Sequence, residues 1–120
     1  MRQLTFASLQ VRDLEASKNF YTTKLGFEIS ETNPQACVFT YNKGQASFAI
    51  RTPLEDIDGK ELGIGTSLWF AIDGTIEKLK EQFEDRKIPI LGGINQTPFG
   101  RTLMIKDLDG YVLTFMQPNN

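Results

Sequence analysis

Near the start of the chain, Ala7, Leu9 and Val11 interleave with Phe6, Ser8 and Gln10, the period of two that belongs to a half-buried strand. The period then changes. Asp13 stands where a helix N-cap is wanted, and Leu14, Ser17, Phe20, Tyr21 and Leu25 recur at helical spacing until Gly26 stops the run. Strands are predicted over residues 27–31, 36–41 and 46–51, the last two joined by a tight turn at Asn42, Lys43 and Gly44. Residues 52–66 carry Pro53, Gly59, Gly63, Gly65 and five charged side chains, which is the composition of a loop or linker. The order then repeats: a strand over 67–72, an amphipathic helix over 75–87, a short strand over 88–91, an irregular loop over 92–100 and a final hairpin over 101–106 and 111–117, turning at Asp107, Leu108, Asp109 and Gly110.

The halves superpose at an offset of 61 residues over the first strands, where Phe6 meets Ser67 and Val11 meets Ile72, and of 63 over the helices, where Phe20 meets Phe83. The predicted fold is therefore α+β: two tandem βαβββ modules, 4–51 and 67–117, joined by linker 52–66 within a single domain spanning 1–120. Their helices lie outside a mixed sheet that curls around a ligand-sized trough.

Alternation also sorts the side chains. If Ala7, Leu9 and Val11 pack beneath the helix, then Phe6, Ser8 and Gln10 face the trough, together with Ala49, Arg51, Ser67, Trp69, Thr114 and Met116. Phe48, Ile50, Leu68, Phe70, Leu113 and Phe115 fall on the helix side. Trp69 has two readings, a core or dimer-interface residue and a stacking platform for a flat ligand, and its alternation with Ser67 favours the platform. Arg51 either snorkels at a strand end or turns inward, where it suits a carboxylate or phosphate. The glycine-rich loop 92–100 reads as a mobile flap or a plain connector, with Phe99 and Arg101 its candidates for touching a ligand. Asp13, Asp107 and Asp109 are accounted for by capping and turn formation.

Composition narrows the partners. With 40% hydrophobic and 23% charged residues and a net charge of −2, the chain has no basic stripe for nucleic acid. It has no apolar run of membrane-spanning length or signal-peptide form, so a cytoplasmic location is expected. Cys37, the single cysteine, agrees with a reducing compartment. The chain contains no histidine, so Cys37 has no imidazole base and any metal site would have to be built from carboxylates.

The run Val11, Arg12, Asp13, Leu14, then Ser17, Phe20, Tyr21, Leu25, Gly26 and Phe27, resembles the signature of the vicinal oxygen chelate superfamily. Phe99, Gly100 and Arg101, followed by Lys106, Asp107, Leu108, Asp109 and Gly110, resemble its terminal hairpin, with Leu108 in place of the usual proline. The superfamily contains glyoxalase I, ring-cleaving dioxygenases, epimerases, fosfomycin-modifying enzymes and bleomycin-resistance proteins. Its enzymes place His and Glu metal ligands on strands one, four, five and eight, and the resemblance puts Phe6, Ala49 (or Phe48), Ser67 and Thr114 at those positions. None is a useful ligand for a divalent ion.

The resemblance implies a metal-independent binding or sequestering protein of the bleomycin-resistance type, without cofactor or catalytic residue, that holds a small aromatic or amphiphilic molecule. Its ligand-binding candidates are Phe6, Ser8, Ala49, Arg51, Ser67, Trp69, Phe99, Arg101, Thr114 and Met116. Positive charge at Arg51 and Arg101 argues against cationic bleomycin itself. The alternatives are a metal-free or atypical lyase, isomerase or transferase using Tyr41, Tyr111, Lys106 or a carboxylate for proton transfer, and a module that contacts another protein. The resemblance further implies a homodimer, with swapped and unswapped forms both open.

Overall fold

The computed structural model describes residue 2, residues 4–40 and residues 47–119; the expected turn at Asn42, Lys43 and Gly44, and Tyr41 and Ala46 beside it, lie outside them. The chain forms two compact units, residues 1–60 and 61–120. Each repeats the order strand, helix and three strands around a mixed four-stranded sheet, so the α+β class and the tandem βαβββ organisation hold.

In the first unit β1 (Phe6–Gln10) leads to α1 (Leu14–Asn19), and the Asp13 carboxylate accepts the Ala16 N–H at 3.0 Å as the expected N-cap. The helix widens into a π-helical turn, Phe20–Lys24, and the chain leaves it through Gly26 at φ 81°, where a side chain would be strained. Then follow β2 (Glu28–Asn33), β3 (Ala36–Thr40) and β4 (Ser47–Arg51), in sheet order β1-β4-β3-β2 with β1 and β4 parallel. Strand β2 starts one residue later than the pattern suggests because Phe27 is buried with the helix residues. Tyr21 stacks on Phe39 at 5.4 Å and Phe27 stands edge-on to Phe48 at 5.0 Å. Each such pair contributes roughly 0.5–1.5 kcal/mol beyond the area it buries.

In the second unit β5 (Leu68–Ala71) leads to α2 (Ile76–Asp85), capped by Thr75, and then to β6 (Ile90–Gln96), β7 (Gly100–Lys106) and β8 (Val112–Pro118). The order is β5-β8-β7-β6, again with a parallel outer pair, β5 and β8. Phe83 of α2 meets Phe115 edge-on at 5.2 Å, over fully buried Ile76, Leu103, Ile105 and Leu113. From the end of β8, Gln117 Oε1 accepts the Ile76 N–H at 2.9 Å, satisfying a first-turn donor of α2.

Two segments differ from the sequence expectation. Most of the predicted flap at 92–100 is strand: β6 pairs with β7, and its register shift between Leu91 and Asn95 takes up the glycines, Gly92 adopting φ 67°. The turn that remains is held by Thr97 Oγ1, which accepts the N–H groups of Phe99 and Gly100 and donates to the Gly100 carbonyl. The first part of linker 52–66 is packed rather than free. Arg12 donates to the carbonyls of Ile57 and Lys60, Gln10 Oε1 accepts the Leu54 N–H, and Ile57 is buried.

Two outcomes follow from this packing. A Cβ at Gly100 would collide with the Gln117 carbonyl of β8, whereas one at Gly93 meets nothing. Gly100→Ala should therefore lower stability by about 1–3 kcal/mol in urea unfolding, with Gly93→Ala close to wild type. Cys37 is fully buried, and burial pushes its thiol pKa up despite a hydrogen bond with Thr32. The thiol should resist a disulfide reagent in the native protein and react at once in urea. Because the folded state holds that proton more tightly, its stabilising contribution is complete below the ordinary thiol range and declines as pH rises beyond it. Cys37→Ala should remove that part of the alkaline loss.

Candidate functional site

The register divides each sheet into a face beneath its helix and a face opposite it. In the first unit Ser8 pairs with Ala49 and Gln10 with Arg51, so Phe6, Ser8, Gln10, Ala49 and Arg51 share the face opposite α1. Ala36 and Val38 of β3 join them, paired with Arg51 and Ala49. Phe6 is 45% exposed, while Ala49 is buried. Arg51 Nε donates to the Thr52 carbonyl at 3.0 Å, which fixes the plane of its guanidinium.

In the second unit Trp69 pairs with Thr114 and Ala71 with Met116, on the face opposite α2. Thr102 and Met104 of β7 and Leu91 and Asn95 of β6 lie on the same face. The alternation of Thr102, Met104 and Lys106 between apolar neighbours carries that signal in the sequence, and it is the part sequence reasoning missed. Trp69 and Phe99 are 44% and 69% exposed, and their rings meet edge-to-face at 6.1 Å and 89°. The indole N–H is already used, donating to Ser67 Oγ at 2.8 Å. The pair therefore offers a corner of two exposed rings. Rings in mutual contact leave no slot for a third between them, but the free indole face can stack on a flat group with Phe99 at its side. Thr114 is buried and Met116 half-buried beside this corner.

Arg101 does not join the others. It pairs with Gln117 on the helix side of the sheet, and its guanidinium is bonded to the carboxylate of Glu77 in the first turn of α2. That guanidinium holds the Glu77 carboxyl below its usual range, and the carboxylate raises the Arg101 pKa. Phe99 lies in the Thr97 turn rather than in β7, so strand alternation does not carry from residue 99 to residue 101.

The residues at the implied metal positions do not fit a metal. Phe6 has no donor, Ala49 none, and Phe48 belongs to the aromatic core. The Ser67 hydroxyl accepts the indole N–H, and the buried Thr114 hydroxyl is a poor ligand for a divalent ion. Among the described residues no three His, Cys, Asp or Glu side chains cluster closely enough to hold an ion, and no helix is long and apolar enough to cross a membrane.

Known proteins share this architecture. TnmS3, an antibiotic binding protein from Streptomyces sp. CB03234, superposes with a TM-score of 0.81 over 99% of this chain and 98% of its own, at 22% identity. A lactoylglutathione lyase from Agrobacterium tumefaciens does so with a TM-score of 0.75 over 98% and 94%, at 19% identity. In sequence, the uncharacterized protein YetH of Bacillus subtilis (strain 168) is 27% identical over 118 residues, 93% of this chain and 95% of its own. The family model of the Glyoxalase/Bleomycin resistance protein/Dioxygenase superfamily matches residues 3–115. With nearly its whole length matched and the tandem βαβββ order in place, this chain belongs to the Glyoxalase/Bleomycin resistance protein/Dioxygenase superfamily.

Proposed function

We propose that this protein binds and sequesters a small aromatic or amphiphilic molecule without a metal ion, as a homodimer in the cytoplasm. The observation that carries the reading is the exposed corner of Trp69 and Phe99. Large rings left in water opposite the helix-packed face do not help the core, and they lose unfavourable hydration when a flat apolar group covers them. Ser67 supports the same reading, because an indole whose donor is occupied recognises a ring face rather than a hydrogen-bond acceptor. Met116 adds a polarisable thioether that adapts to differently shaped ligands. The antibiotic-binding role of TnmS3, a protein of the same fold, agrees with this class of activity.

Metal independence rests on the chemistry of the side chains: the chain has no histidine, and the hydroxyl, methyl and phenyl groups at the implied ligand positions are not a donor set for a divalent cation. The purified protein should contain well under one divalent ion per chain by elemental analysis, with an unchanged melting temperature in chelator. A stoichiometric ion whose removal lowers the melting temperature would sink this part of the reading.

Trp69 is the only tryptophan, so its emission reports on the site directly. A panel of aromatic and antibiotic compounds should contain members that shift this emission and raise the melting temperature in step with concentration. Trp69→Ala should then weaken binding of those compounds by roughly 1–3 kcal/mol, measured calorimetrically, with the fold intact by circular dichroism. Unchanged affinity would remove Trp69 from the site.

A further inference from the structure

The face opposite α1 in the first unit carries a second combination of groups, independent of the Trp69 corner. Arg51 is half-buried at the end of β4, and its Nε–H is spent on the Thr52 carbonyl. Among the described residues nothing further bonds the guanidinium. Its neighbours across the sheet are Gln10, Ala36 and, beyond Ala36, Asn33, so its row of the sheet contains no carboxylate. The nearest acid on that face, Glu31, stands in the next row, on the far side of Val38 from Ala49. An arginine held in one plane, half removed from water and lacking an acidic partner is arranged for an external anion. Its two terminal nitrogens present parallel donors that match a carboxylate.

The rest of the face suits an apolar body attached to that anion. Phe6 lies on the same side of β1, four residues before Gln10 and so about 13 Å along the strand at ~3.3 Å per residue. Between them stands Ser8, short and exposed, which raises no bulk on the path, with Ala49 closed in beside it. A cation at one end, an exposed phenyl ring at the other and small side chains between complement an amphiphile with its charge at one tip.

We propose that Arg51 anchors the carboxylate of an amphiphilic organic acid whose apolar part lies along β1 over Ser8 toward Phe6. The site uses residues of the first unit alone, so it stands or falls separately from the Trp69 reading.

The probe is 4-phenylbutyrate, with neutral 4-phenylbutanamide as its control, titrated into 15N-labelled protein and followed by NMR including the arginine Nε–H region. The acid should produce saturable shifts at the Arg51 Nε–H and at the amides of Ser8 and Thr52, and bind about tenfold or more tightly than the amide, the ratio expected of a charge-assisted fork. Arg51→Met should abolish the preference for the acid. Arg51→Lys, which keeps charge but not the fork, should retain part of it and shows whether loss in the first variant reflects misfolding. Equal affinity for acid and amide, shifts that map to other cations, or an acid preference that survives in Arg51→Met would each overturn the assignment. Trp69→Ala, titrated in parallel, should leave the Arg51 shifts unchanged, so failure of one site is distinguishable from failure of the other.

Discussion

Parallel pairing of the first strand with the last in each unit is the constraint on which the rest depends. β1 lies beside β4 and β5 beside β8. Parallel neighbours cannot be joined by a tight turn, so the chain must cross one face of the sheet before it returns, and it crosses as a helix. That crossing makes the two faces unequal. Beneath α1, Leu9, Phe48 and Ile50 are buried; beneath α2, Phe115 and Leu113 are. The opposite faces are released from the apolar requirement, and there side chains of different chemistry accumulate.

The two units use this freedom in opposite ways. At matching positions of the repeat, β1 has Phe6 and Ser8 where the second unit has Ser67, just before β5, and Trp69 within it, so ring and hydroxyl exchange places. Their parallel partners differ as well. Ser8 pairs with Ala49 and Trp69 with Thr114, and two residues further on the partner strands carry Arg51 in one unit and Met116 in the other. One face therefore holds a cation and a phenyl ring at its ends. The other holds a large exposed ring with a flexible thioether. The repeat keeps the backbone pairing because every ladder bond depends on it, while the residues off the core differ between the units.

Polar groups near the helices are consumed by structure instead. Gln117 satisfies the start of α2, Arg101 neutralises Glu77 there, Asp13 caps α1 and Arg12 ties down the chain after β4. Those bonds engage the arginines at 12 and 101 with the protein itself. Arg51 differs because, among the described residues, its only bond is to the adjacent carbonyl.

Local patterning determined a great deal by itself. The switch from period two to helical spacing at Asp13, the stop at Gly26 and the 61-residue repeat specified the element order and the helix-facing residues, since each depends on neighbours a few positions away. The missing histidines likewise argued against a metal from composition alone. Strand pairing across the bulge of β6 was not legible, because glycines 92 and 93 read as loop until β7 supplies a partner for the strand. The pairing of Arg101 with Glu77 and the burial of Thr114 were also decided by tertiary structure. Each depends on packing between segments distant in the chain, and periodicity carries no information about that.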